Sequence, residues 1–192
     1  LGIVYQVELL PGLPISSLAV CTPAIAAAVM VYRKDKLTAV SRLLRRSFDF
    51  NRIRDKKWYF VFLLFNPAVA VMAFVALRAM GIAVPTPPPL TLAVVPMSVS
   101  FFIAALGEEI GWRGYALPRL LQKHSPLISS IILGLIWAGW HLPLFWMAGN
   151  FHQQLPLSWF LLQILGSTFI YTWMFKHTNG SLWVALFFHT SS

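Results

Sequence analysis

Residues 58–80 read WYFVFLLFNPAVAVMAFVALRAM, and this stretch decides the fold. Arg78 is the only charged residue in it, and about 20 apolar residues in a helix cross the roughly 30 Å hydrocarbon core of a bilayer. The stretch therefore predicts a transmembrane helix. Further apolar runs on both sides of it predict additional spans, at residues 16–32, 90–107, 126–147, 157–175 and from 180 onward.

The composition of the whole chain also indicates a membrane protein. Of its 192 residues, 58% are hydrophobic and 11% are charged, and the mean hydropathy is +0.70. This composition argues against a water-soluble enzyme, and a transmembrane β-barrel would show segments of about ten residues with alternating polarity. We therefore expect an all-α, polytopic transmembrane bundle of about six spans. We see no repeat or domain boundary, so residues 1–192 are predicted to be a single domain, and we expect it to be a fragment that lacks a preceding segment and the residues after 192.

Positive charge is concentrated in one segment. The formal net charge is +9, and residues 33–57 hold ten basic and three acidic side chains, a net charge of +7. Because cytoplasmic loops carry an excess of Lys and Arg, we predict that 33–57 is a cytoplasmic loop of a plasma-membrane protein surrounded by membrane lipids. The same rule places the connections at 85–89 and 148–156 outside. The basic cluster has no folded domain around it, which argues against a nucleic-acid partner.

Two carboxylates stand at the end of the third predicted span. Glu108 and Glu109 are the only acidic residues after Asp55, and an ionisable side chain inside a membrane costs at least about 2.5–3.5 kcal/mol. Arg113 lies four residues after Glu109 and shares its helix face, whereas Glu108 points about 100° away. We predict that Glu109 pairs with Arg113 and leaves Glu108 free as a general base, which takes a proton from water and returns it to a leaving amine. The alternative is a purely structural charge cluster at the headgroup level.

Two histidines lie in other apolar runs. His141 follows Trp137 by four residues and shares its helix face, and His189 lies in the last predicted span, where any partner must come from another helix. Each histidine alone could be an ordinary interhelical hydrogen-bonding residue. One free carboxylate and two histidines on three separate spans favour a common interior site. The other three histidines lie in predicted loops, and we assign no role to His124, His152 and His177.

The motifs around these residues resemble those of a known family. The chain reads GEEIGWRGYALPRL at 107–120 and WHLPLFW at 140–146, and a further histidine, His189, follows near the end. In these motifs the chain resembles the CPBP family of intramembrane proteases, which includes CAAX-processing and bacteriocin-processing enzymes. The family is also called the Abi or type II CAAX prenyl endopeptidase family. The compact length and short Arg-rich loops resemble its bacterial members.

The resemblance implies a role for each residue of the predicted site. Glu108 would activate the attacking water together with His141, and His189 would stabilise the oxyanion. The supporting residues would be Glu109, Arg113 and Trp137. Two features depart from the family pattern: Trp137 stands where Phe is usual, and the Asn or Asp expected four residues after His189 would be residue 193, beyond the sequence.

The sequence leaves the question of a metal open. It contains no HExxH motif and no pair of histidines at i, i+4 spacing, which is the usual zincin arrangement. A zinc ion held by Glu108, His141 and His189 from three helices is the alternative. We favour a metal-free mechanism in which a glutamate activates the water, and hence expect no cofactor.

We therefore expect an intramembrane endopeptidase that cleaves a membrane-associated peptide or a lipidated protein tail. A non-catalytic immunity or scaffold protein would use the same site to bind a peptide or protein partner, and its function would survive the substitution Glu108→Gln. A transporter or proton channel would use the Glu and His side chains as a relay.

Overall fold

The computed structural model describes residues 8–10, 13–85, 91–92, 94–147 and 150–191. These residues form seven α-helices, namely α1 (Thr22–Arg45), α2 (Lys57–Ala79), α3 (Val94–Gly111), α4 (Leu117–Leu121), α5 (Pro126–His141), α6 (Leu157–His177) and α7 (Leu182–Thr190). A π-helical turn at Trp112–Ala116 joins α3 to α4. Shorter 3-10 turns occupy Ile15–Cys21, Arg46–Phe48, Phe50–Arg52, Leu142–Trp146 and Phe151–Gln154. Before the first helix, β1 (Glu8–Leu10) pairs antiparallel with β2 (Leu13–Pro14).

The predicted class, an all-α transmembrane bundle, is confirmed. Within the described ranges, four helical stretches are long and apolar enough to cross a membrane: Lys57–Ala79, Val94–Leu121, Pro126–Trp146 and Leu157–His177. The first and last of the six predicted spans correspond to α1 and α7, which do not meet both criteria. The second half of α1 is basic, and α7 has nine residues. The predicted outer turn at 85–89, except Pro85, and the first two residues of the connection at 148–156 lie outside the described residues.

We predicted that the basic segment 33–57 is a connecting loop. In the structure only part of it is a loop, because α1 continues through it to Arg45. The extension is helical because one of its faces packs on the protein, where Ala39 and Leu43 are buried. The segment then folds back onto the bundle. Arg46 donates from Nη1 to the Gly114 carbonyl at 2.7 Å and from Nη2 to the Gly180 carbonyl at 3.1 Å. That this segment is cytoplasmic stays a prediction.

Two glycines set the position of α3, which carries both glutamates. A Cβ atom added at Gly107 would clash with the Val20 backbone, and one added at Gly111 would clash with Pro23. Only a residue without a side chain permits so close an approach between α3 and the first helical segment. The sequence GEEIG therefore holds its two carboxylates in a stretch of α3 that is packed against α1 on one side and α7 on the other.

The start of α7 is fixed by a side chain from the basic segment. Asp49 Oδ1 accepts hydrogen bonds from the backbone N–H groups of Leu182 at 3.0 Å and Trp183 at 3.3 Å. It also accepts one from the Ser181 hydroxyl at 2.9 Å. The first N–H groups of a helix have no partner within the helix, so Asp49 acts as a cap supplied from a distant part of the chain.

The other end of α7 is held by α2. The Asn66 side chain donates from Nδ2 to the Phe188 carbonyl at 3.0 Å and to the Ser191 hydroxyl at 2.9 Å. These contacts flank His189, the one histidine of this helix. The nine-residue α7 is thus anchored at both ends, which fixes the depth and the rotation at which His189 enters the bundle.

We expect Asp49→Ala to lower the free energy of unfolding by about 1–2 kcal/mol, because the donors at the start of α7 lose their shared acceptor. Unfolding of the purified protein in detergent measures this change. The matched control is Asp55→Ala, since Asp55 lies in the same segment but is exposed and pairs only with Lys57, at 2.7 Å. Surface pairs contribute little. Equal effects of the two substitutions would contradict the capping role of Asp49.

Candidate active site

The pair predicted from helical spacing is present. Arg113 Nη1 donates to Glu109 Oε1 at 2.8 Å, and both side chains are fully buried. The guanidinium carbon also lies 3.8 Å from the centre of the Tyr171 ring and 4.3 Å from that of the Trp137 ring. Arg113 itself lies in the π-helical turn, an irregularity often found at functional sites. The charge is therefore enclosed by a carboxylate and two aromatic faces inside the protein.

His189 contacts the same carboxylate. Its Nδ1 lies 2.8 Å from Glu109 Oε1, so this oxygen bridges Arg113 and His189. A carboxylate oxygen only accepts, so Nδ1 carries the hydrogen. The expected partner from another helix is thus Glu109 of α3. His189 is 21% exposed at its side chain, whereas Glu109 is fully buried.

Glu108 is buried and hydrogen-bonded. The Trp137 indole N–H donates to Glu108 Oε2 at 2.8 Å, and the glutamate is 6% exposed. We predicted that Glu108 would be free, but it has this indole partner, whose ring centre also lies 4.3 Å from the guanidinium carbon of Arg113. A single neutral donor fixes the orientation of the carboxylate without compensating its charge.

The backbone of α5 fixes His141. Its Nδ1 lies 2.9 Å from the Trp137 carbonyl oxygen. Because a carbonyl only accepts, Nδ1 carries the hydrogen, and in the neutral imidazole Nε2 carries the lone pair. The imidazole is half-buried at the end of α5, where the helix tightens into the 3-10 turn that contains Pro143. His141 therefore presents an acceptor at Nε2.

Trp137 is the residue around which the predicted site assembles. Its ring centre lies 5.5 Å from that of His141 and 5.9 Å from that of His189, and its N–H binds Glu108. The structure thus brings all six residues chosen from the sequence into one connected cluster, built from α3, the π-helical turn, α5 and α7. The Glu108 carboxylate and the acceptor atom of His141 can polarise a water. The His189 imidazole, bound to Glu109, can stabilise negative charge.

Among the described residues, no group of three His, Cys, Asp or Glu side chains could hold a metal. The set considered from the sequence combined Glu108, His141 and His189. Of these, Glu108 accepts a hydrogen bond from the Trp137 indole, and His189 contacts Glu109.

His152, to which we assigned no role from the sequence, has its ring centre 5.8 Å from that of His141. His152 is 7% exposed and lies in the 3-10 turn between α5 and α6. Asn150 Oδ1 accepts from both the His152 backbone N–H, at 3.1 Å, and Nδ1, at 2.7 Å. The ring therefore has a fixed tautomer with its lone pair on Nε2, like His141. The only signal in the sequence was Asn150, whose side chain caps this turn.

Comparisons with known proteins assign the chain to a family. Residues 89–192 match the family described as Type II CAAX prenyl endopeptidase Rce1-like, and they include every residue of the cluster. The chain belongs to this family, as its motifs indicated. It is also 27% identical, over 197 residues, to CAAX prenyl protease 2 of Methanococcus maripaludis, with 97% of this chain and 70% of that protein covered. Because four helical stretches of the described residues are long and apolar enough to cross a membrane, the chain is an integral membrane protein of an endopeptidase family.

Proposed function

We propose that the protein is an intramembrane endopeptidase that cleaves a peptide bond in a prenylated CAAX tail, using a water molecule activated by Glu108. The observation that supports this best is the buried Glu108 carboxylate, oriented by Trp137 and gathered with His141 around the same indole. The name of the archaeal relative supports the substrate class, a CAAX sequence with a prenyl group. A prenyl chain would anchor such a tail in the bilayer, beside a site that lies within the helices.

In the proposed mechanism, Glu108 and the Nε2 atom of His141 hold the attacking water. Glu108 takes a proton from the water while the water oxygen bonds to the scissile carbonyl carbon. When the carbon–nitrogen bond breaks, Glu108 returns this proton to the leaving amine, so the products are an acid and an amine. Neither step changes the oxidation state of any atom.

His189 is proposed to stabilise the oxyanion that develops on the scissile carbonyl. Stabilisation of this charge by positioned donors is often the largest single contribution to acyl hydrolysis. Glu109 is the counter-charge of the buried Arg113 guanidinium, and the same carboxylate oxygen lies against a doubly protonated His189. Glu109 and Arg113 are thus proposed to be positioning residues.

A cleavage assay tests the function. Purified protein in lipid vesicles is incubated with a farnesylated peptide that ends in a CAAX sequence, and with the same peptide carrying an unmodified cysteine. Mass spectrometry identifies the fragments. We expect cleavage of the farnesylated peptide, little cleavage of the unmodified one, and unchanged rates after treatment with a chelator. Binding without cleavage would contradict the proposal, and equal cleavage of both peptides would contradict the prenyl specificity.

We expect His152→Gln to lower kcat/KM for this peptide about threefold to tenfold, because the site loses one hydrogen-bonding imidazole next to His141. The matched control is His124→Gln, since His124 is exposed after α4 and should leave kcat/KM unchanged. Unfolding temperatures of both variants separate a loss of contact with substrate from a loss of stability. An unchanged kcat/KM in His152→Gln would show that this histidine serves only to order its turn.

A further inference from the structure

The second half of α1 differs from the first half in direction and in character. At Asp35 and Lys36 the backbone leaves helical geometry, and Lys36 has a φ of 59°. A positive φ is uncommon for a residue with a Cβ atom, so the break is a defined change of direction. Residues 37–45 then form a separate helical piece, followed by the 3-10 turn Arg46–Phe48.

This helical piece has one face on the protein and a second apolar face that is exposed. Ala39 and Leu43 are buried, with exposed fractions of 9% and 6%. Leu37, Leu44 and Phe48 are 72%, 47% and 58% exposed. At 100° per residue, Leu37 and Leu44 lie about 100–120° from Leu43, so they form a stripe of their own. A stripe of large apolar side chains is unfavourable in water but not in a bilayer.

The polar face next to this stripe is basic. Arg42 and Arg45 are both exposed; at 100° per residue Arg45 lies about 80–100° from Leu37 and Leu44, and Arg42 about 140–160°. A helix with an apolar stripe and a cationic face is typical of segments that lie in the plane of the membrane interface. The segment also leads directly into α2, which starts at Lys57 and crosses the membrane, so the interface is within reach. A simple cytoplasmic loop would explain the charge but not the exposed apolar stripe.

We propose that the surface formed by Leu37, Arg42, Leu44, Arg45 and Phe48 binds the headgroup region of an anionic lipid bilayer. The apolar side chains enter the boundary between headgroups and acyl chains, and the two arginines contact lipid phosphates. Each basic residue near an anionic membrane strengthens such binding about fivefold. This inference is independent of the peptidase activity, because the surface lies outside the catalytic cluster.

A fluorescence experiment on the whole chain tests the proposal. The substitution Leu44→Cys, in a Cys21→Ser background, carries an environment-sensitive dye. The protein is reconstituted in vesicles of phosphatidylcholine alone or of equal parts of phosphatidylcholine and phosphatidylglycerol. Lipids with a nitroxide near the headgroup report contact by quenching. A second label position, Thr38→Cys, serves as a control because Thr38 is an exposed polar residue of the same helix.

At position 44 we expect stronger quenching in the mixed vesicles than in vesicles of phosphatidylcholine alone, and at position 38 little quenching in either. At high salt the difference between the two kinds of vesicle at position 44 should be lost. Substituting Arg42→Gln and Arg45→Gln together should weaken the binding of this surface to the mixed bilayer by about fivefold for each arginine removed. Arg78→Gln, which removes an exposed arginine at the opposite end of α2, should have no effect. Equal quenching at position 44 in the two kinds of vesicle would overturn the proposal. So would an effect of Arg78→Gln as large as that of the double substitution at Arg42 and Arg45.

Discussion

Replacing Glu108 with Gln is expected to reduce kcat for cleavage of the farnesylated peptide by at least about 100-fold, without loss of folding. General-base catalysis contributes roughly 10²–10⁴ in rate, and a glutamine cannot take a proton from water at neutral pH. The Gln side chain still offers an oxygen to the Trp137 indole N–H, so the hydrogen bond that orients this position is kept. Steady-state kinetics and the thermal unfolding midpoint of the same preparation measure both halves of the prediction.

The control for Glu108→Gln is Asp55→Asn, which neutralises an exposed carboxylate outside the site and should leave kcat unchanged. Retention of activity by a folded Glu108→Gln protein would contradict the proposed role of Glu108. It would favour a protein that binds a partner through this cluster without catalysis. Loss of both activity and folding would instead assign Glu108 a structural role.

Replacing Arg113 with Met is expected to lower the free energy of unfolding by about 3–5 kcal/mol, the largest stability effect of any substitution considered for this chain. Removing one partner of a buried ion pair leaves the other charge without compensation. Here Glu109 would keep only His189, and the contacts of the guanidinium with Trp137 and Tyr171 would also be lost. Equilibrium unfolding in mixed detergent micelles measures the change.

Arg119→Met is the matched control for Arg113→Met. Arg119 also stacks on an aromatic ring, with its guanidinium carbon 3.5 Å from the centre of the Tyr115 ring, but it is exposed and has no carboxylate partner among the described residues. We expect it to cost about 0.5–1 kcal/mol. Adding Glu109→Gln to Arg113→Met should cost less than the sum of the two single substitutions, because the pair is already broken. Equal costs for Arg113→Met and Arg119→Met would contradict the buried pair.

Contacts set by helical periodicity could be predicted from the sequence. Glu109 and Arg113 are four residues apart and form an ion pair, and Trp137 and His141 have the same spacing and pack together. Both predictions needed only the knowledge that a long apolar run forms a helix in a membrane. The membrane-spanning helices followed from hydropathy for the same reason.

Contacts between distant parts of the chain could not be predicted from spacing. The Trp137 donor to Glu108 and the bond between His189 and Glu109 depend on how α3, α5 and α7 are rotated against one another. His152 reaches His141 only because the chain reverses after α5 through two 3-10 turns. The helical extension of α1 was missed because its charge resembled that of a loop, while its buried face is narrow.

An experimental structure of the protein, at a resolution that shows ordered water, tests the central claim most directly. We predict a water molecule within hydrogen-bond distance of both the Glu108 carboxylate and the Nε2 atom of His141, with His189 facing the position of the substrate carbonyl. Side chains of Glu108 and His141 that point to separate surfaces, or a metal ion bound between them, would contradict a mechanism in which Glu108 and His141 activate the water without a metal.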